Sequence, residues 1–132
     1  MISLWLPVIF WAGVIFTFSN FPTIVTVDFY LGDFILKKTA HLVEYGLFAT
    51  LIYRALINSN IAKDKAMKYA VLASFLYGVS DEFHQSFVSG RTATLRDILI
   101  DTTGAVIAIY GLIGNLYKMP KNIQHLFSKI QI

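Results

Sequence analysis

The sequence predicts an all-α, polytopic membrane protein: a bundle of four transmembrane helices followed by a short C-terminal interfacial helix. Three observations carry that expectation. Of 132 residues, 56% are hydrophobic and only 14% charged, and mean hydropathy is +0.62, which leaves too little polar material to cover a soluble domain. The apolar residues come in long blocks and do not alternate with the period of two that a membrane barrel requires. Finally, no charged residue occurs from Met1 to Val27.

The first span lies in that uncharged run, where "LWLPVIFWAGVIFTFS" approaches the roughly 20 apolar residues a bilayer crossing takes. A cleaved signal peptide is disfavoured, because the first 20 residues hold no Lys or Arg and no small-x-small site precedes "NFPT". The segment "NFPTIVTVDFYLGD" carries Pro22, Gly32 and two acids, and reads as a loop with a short interfacial turn. A second span is expected from about Lys38 to Ile57, a third from about Met67 to Phe87 and a fourth from about Thr94 to Tyr117. The four spans make one domain over residues 1–117. Residues 118–132 form an amphipathic cytoplasmic tail, in which Ile123, Leu126, Phe127 and Ile130 recur at helical spacing beside Lys121 and Lys129. Such a helix suits an anionic leaflet surface.

Basic residues set the orientation. With the first span running outward, Arg54, Lys63, Lys65, Lys68, Lys118, Lys121 and Lys129 fall on one side, seven of the eleven Lys and Arg. The positive-inside rule then places both termini in the cytoplasm. The absence of Cys excludes disulfides, thiolate metal sites and Cys nucleophiles. A net charge of +3 without a basic stripe argues against nucleic acid as a partner.

Ionisable residues inside the later spans would cost roughly 2.5–3.5 kcal/mol each if they faced lipid, so they must face one another or water. Alternating spans bring the start of the second, the end of the third and the start of the fourth to the outer leaflet. Lys38, His41 and Glu44 share one helix face at spacings of three. Asp81, Glu82, His84 and Gln85 end the third span, Asp97 and Asp101 open the fourth, and Arg91 and Arg96 lie near the loop between. On the fourth span Asp97, Asp101, Gly104, Ala108, Gly111 and Asn115 form a stripe expected to face the bundle axis. On the third, Ser74, Gly78, Glu82 and Gln85 form a similar line.

Plainer roles compete with a working site. Asp97 fits a capping box with Thr94, Arg91 fits snorkelling toward headgroups beside a turn at Gly90, and His84, flanked by Phe83 and Phe87, fits the membrane boundary. His41 fits a packing histidine, and Glu44, Asp81 and Glu82 fit salt bridges with Lys38, Arg91 and Arg96. Five acids (44, 81, 82, 97, 101) meet four bases (37, 38, 91, 96), which leaves one carboxylate to hold a proton, a cation or a histidine.

The blocks "KTAHLVEYGLF", "YGVSDEFHQSFVSGRTATLRDILIDTTGA" and "FWAGVIFTFSN" resemble the VanZ-like family of small bacterial integral membrane proteins, whose name-giving member is linked to teicoplanin resistance. The resemblance implies a multi-pass protein of the bacterial cytoplasmic membrane with a cell-envelope role. By position it falls on Lys38, His41, Glu44, Tyr45, Asp81, Glu82, His84, Gln85, Gly90, Arg91, Asp97, Asp101 and Gly104. Ser89 stands where proline is common in the family, and Arg96 where relatives vary.

Two classes of function follow from the residues. The first is a non-enzymatic envelope protein that binds a lipid-linked or amphiphilic anionic ligand at an outer-leaflet site made of Lys38, His41, Glu44, Asp81, Glu82, Gln85, Arg91, Asp97 and Asp101. In it Arg91 and Lys38 hold the phosphate or carboxylate. The second is an intramembrane, metal-assisted hydrolase or transferase acting on a lipid phosphate or lipid-linked glycan. There His41, Asp81, Glu82, Asp97 and Asp101 are candidate ligands for Mg²⁺, Mn²⁺ or Zn²⁺, and Glu44, Glu82 and His84 are candidate catalytic groups. The bilayer is a partner in both, and a second copy of the chain is a candidate partner through the small-residue stripe.

Overall fold

The computed structural model describes residues 2–22, 30–91, 93–130 and 132, and every described element is helical. Helix α1 spans Ile2–Ser19, α2 Tyr30–Ile57, α3 Lys63–Gln85 and α4 Leu95–Val106. Helix α4 continues into a π-helical stretch, Ile107–Ile113, and a 3₁₀ turn, Leu116–Lys118, precedes α5, Lys121–Lys129. The expected helices are all present with shifted ends. Helix α2 begins eight residues before Lys38 and takes in Gly32, because one helical Gly costs only about 1 kcal/mol and a 28-residue helix absorbs it. Of the expected loop before it, residues 23–29 lie outside the described residues.

One helix, Phe34–Ile57, is long and apolar enough to cross a membrane by itself, and Ser3–Ser19 is a shorter apolar helix. Large apolar side chains are exposed around α1 to α4, among them Phe10, Leu36, Leu76, Phe83 and Leu99.

Helix α2 is the centre of the bundle, packed against α4, α3 and α1. Its Tyr45, Phe48, Ala49, Ile52 and Tyr53 are buried with Ile15 of α1, Ala70 of α3 and Ala105 and Ile109 at the α4 side. Contact between α2 and α4 is backbone to backbone. A Cβ on Gly104 would stand 2.1 Å from the Leu42 carbonyl oxygen, and one on Gly46 would stand 3.2 Å from the Gly104 carbonyl oxygen. Small residues permit that approach, which supplies dispersion contacts a larger side chain would remove.

The stripe on the fourth helix holds only in part. Asp97, Asp101, Gly104 and Ala108 are buried, but Gly111 is exposed. The wider winding of the π-helical stretch rotates the inner face after Ala108, and Ile109 and Ile113 take its place in the core. The line on α3 is buried throughout, at Ser74, Gly78, Glu82 and Gln85.

The tail folds back on the bundle. Arg54 Nε donates to the Ile130 carbonyl at 2.7 Å, and Phe127 and Ile132 pack on the core. Leu126 and Ile130 remain exposed.

Candidate functional site

The polar residues meet where α1 ends, α2 begins, α3 ends and α4 begins. Helices α2 and α4 run parallel there, so two polar residues of α2 find partners on α4 at matching depth. Lys38 pairs with Asp97, and one turn deeper His41 Nδ1 lies 3.1 Å from Asp101 Oδ1. Asp101 is 1% exposed and His41 19%. A carboxylate that buried takes the Nδ1–H and leaves Nε2 as the open nitrogen of the ring. No hydrogen bond reaches that Nε2 or the Glu44 carboxyl among the described residues.

The start of α4 is capped from two sides. Thr94 Oγ1 accepts from the Asp97 amide at 3.2 Å, the first half of a capping box. The reciprocal bond comes from another helix, since the Thr94 amide donates to Glu82 Oε2 at 2.7 Å. Glu82 thereby releases Asp97 from capping and leaves its carboxylate for Lys38.

Helix α1 is tied to α3 by a second network that sequence reasoning missed. Ser19 Oγ donates to Asp81 Oδ2 at 2.8 Å, and Gln85 Nε2 donates to the same oxygen at 2.8 Å. Arg91 donates from Nη2 to the Phe18 carbonyl at 2.6 Å, from Nε to the Phe21 carbonyl at 2.8 Å and from Nη1 to Gln85 Oε1 at 3.4 Å. Its guanidinium is therefore a strut between the α3–α4 loop and the end of α1. The loop turns at Gly90, whose φ of +80° few other residues adopt. His84 is removed from the cluster: its Nε2 lies 3.0 Å from Asn20 Oδ1, and its ring packs on Phe16.

These elements frame a cavity of about 690 Å³, within the usual range for small-molecule sites. Its lining combines apolar side chains, Trp11, Phe18, Phe21 and Val43, with the ionisable Lys37, Lys38, His41, Glu44, Arg96 and Asp97. Of the candidate ligand-binding residues, Lys38, His41, Glu44, Gln85, Arg91 and Asp97 reach the cavity. Asp81, Glu82 and Asp101 stand behind its wall, buried. Glu82 caps α4 and His84 turns toward α1, so neither of these two candidate catalytic groups lines the cavity. Arg96 closes the rim, 4.0 Å from Asp97 through Nε and stacked on Phe34. Trp11, Phe18 and Phe21 carried one usable signal: the first span ends on the same side of the bundle.

Tyr45 Oη, Ser74 Oγ, Asp81 Oδ1, Glu82 Oε1 and Asp101 Oδ2 are buried without a hydrogen-bond partner among the described residues. Asp81 and Glu82 accept from neutral donors only and pair with no base among the described residues. With Glu44 on α2, they are the acids of the cluster without a base among the described residues, more than the single surplus carboxylate anticipated from the count of charges. Among the described residues no three His, Asp or Glu side chains gather in a way that would hold a metal ion, so the candidate ligands His41, Asp81, Glu82, Asp97 and Asp101 form pairs and caps instead.

A family model described as VanZ/LLP1 matches residues 4–117, most of the chain. No curated protein and no solved structure matches.

Proposed function

The chain belongs to the VanZ-like family, and on that premise we propose that it is a multi-pass envelope protein whose cavity binds an amphiphilic, anionic ligand at the outer leaflet. The observation that carries the reading is the mixed lining of the cavity, apolar and basic side chains together. Trp11, Phe18, Phe21 and Val43 suit an acyl or prenyl chain, and Lys37, Lys38 and Arg96 suit a phosphate or carboxylate head. Arg91, already committed to two carbonyls, shapes the site and is not the main anion clamp.

Helices α1 to α4 cross the bilayer with both termini in the cytoplasm. The apolar exteriors of all four and the distribution of Lys and Arg support that topology. Family membership associates the protein with resistance to teicoplanin, an antibiotic that carries a fatty acyl chain. A site that holds a lipid-linked or lipid-like anion at the outer leaflet is the physical form such resistance takes here.

The test uses Trp11 as its own probe. In a Trp5→Phe background, brominated phosphatidic acid in detergent micelles should quench Trp11 saturably and more strongly than brominated phosphatidylcholine. Ala40→Phe, which fills the cavity from an exposed position on α2 without adding a second fluorophore of the Trp type, should abolish the difference. Equal, non-saturating quenching by both lipids would remove the proposal.

A further inference from the structure

The geometry points to an activity of this cavity: His41 is a nucleophile that removes phosphate from a phosphorylated lipid, with Asp101 as its positioning residue and Glu44 as the acid. This rests on the reading of the cavity as an amphiphile site. His41 lines the cavity, and its Nδ1 is held 3.1 Å from Asp101 Oδ1. A carboxylate buried to 1% exposure is an expensive way to hold a ring in place, and in the neutral ring an Nδ1–H donated to it leaves the lone pair on Nε2. The same carboxylate stabilises the positive charge that the ring gains on attack. Among the described residues Thr94 is the one hydroxyl side chain that lines the cavity, and its oxygen already accepts from the Asp97 amide. The imidazole is therefore the best nucleophile on offer.

Glu44 lies one turn along α2 from His41, lines the same cavity and receives no hydrogen bond among the described residues. Lys37, Lys38 and Arg96 surround the same space and match the charge of a phosphoryl group. In the first step Nε2 of His41 forms a bond to phosphorus, the bond from phosphorus to the lipid oxygen breaks, and the leaving oxygen takes the proton of the Glu44 carboxyl. In the second, water attacks the phosphohistidine, the nitrogen–phosphorus bond breaks, and the Glu44 carboxylate takes the proton from water. The net reaction is phosphorylated lipid plus water to inorganic phosphate plus the lipid alcohol from a phosphate ester, or the lipid monophosphate from a diphosphate, and every group returns to its starting state.

The experiment incubates the full-length protein in detergent with phosphatidic acid and with a polyprenyl diphosphate, and follows inorganic phosphate. Base-quenched samples are analysed for a phosphohistidine at residue 41 by mass spectrometry. Wild type should release phosphate and show the adduct. His41→Gln should lower release by about 100-fold or more, within the usual contribution of such groups, and show no adduct. Asp101→Asn should reduce the adduct and release together, and Glu44→Gln, which can neither protonate the leaving oxygen nor take the proton from water, should slow both the formation and the decay of the adduct. Each variant is checked for Trp11 quenching by brominated phosphatidic acid, so loss of fold is not read as loss of chemistry. Quenching that persists while wild type releases no phosphate from either lipid overturns this inference and leaves the binding reading standing. Release unchanged in His41→Gln overturns it too, and absence of quenching in wild type removes both.

Discussion

Gly104→Ala tests whether the contact between α2 and α4 builds the site. The new Cβ would lie 2.1 Å from the Leu42 carbonyl oxygen, 2.9 Å from its carbon and 3.0 Å from Leu42 Cα. An ordinary carbon–oxygen contact is about 3.3 Å, so the helices must part by roughly 1.2 Å, and backbone on both sides leaves no rotamer to relax. The His41–Asp101 contact at 3.1 Å, one turn away in the same seam, would open past hydrogen-bond range. Overpacking alone costs about 1–3 kcal/mol, and leaving Asp101 buried without its partner adds to that. The expected loss is about 3 kcal/mol, seen as a fall of roughly 10 °C in the thermal midpoint in detergent, at about 3–4 °C per kcal/mol for a chain of this size. The control is Gly13→Ala, whose Cβ would meet nothing within 4 Å. It should be neutral or stabilising by up to about 1 kcal/mol. A Gly104→Ala midpoint within 2 °C or so of wild type would refute the reasoning, since no repacking of side chains can accommodate that Cβ.

Arg91→Lys should lower the thermal midpoint in detergent by the equivalent of about 1–3 kcal/mol, because one ammonium cannot span the Phe18 and Phe21 carbonyls and Gln85; a midpoint equal to wild type would mean the strut is not needed. Thr94→Ala should cost about 1 kcal/mol through the lost N-cap. Glu82→Leu should cost about 1–3 kcal/mol by orphaning the Thr94 amide, and Glu82→Gln, which keeps an acceptor, should cost less than Glu82→Leu when the three are melted side by side. A reporter enzyme active only in the cytoplasm, fused after Ile132, should be active; activity of a periplasmic reporter there instead would invert the proposed topology.

Periodicity and composition made the helices, their order and the end of the bundle where charge collects legible in the sequence. The pairing of α2 with α4 was legible in outline, since Lys38, His41 and Glu44 share a face and Asp97 and Asp101 lie one turn apart. The cap at Thr94 was half legible: its side-chain bond follows from local spacing, but the bond from Thr94 to Glu82 joins residues 12 apart through a turn. The contacts of Arg91 were not legible because two of its partners are main-chain carbonyls, which every residue carries and no sequence pattern marks. Those of His84 and Glu82 were hidden for a related reason, since a polar residue near a helix end can turn to either neighbour and only packing chooses.

By itself, then, the sequence determined an apolar all-helical chain of the VanZ-like family, with its ionisable residues gathered at one end and a glycine where two helices cross. Tertiary structure decided the partners: which carboxylate meets Lys38, which caps α4, which orients His41, and where the π-helical winding turns the stripe away after Ala108. The physical reason is range. Apolar periodicity is a local property summed over many residues, whereas each hydrogen bond depends on a few tenths of an ångström between groups far apart in the chain.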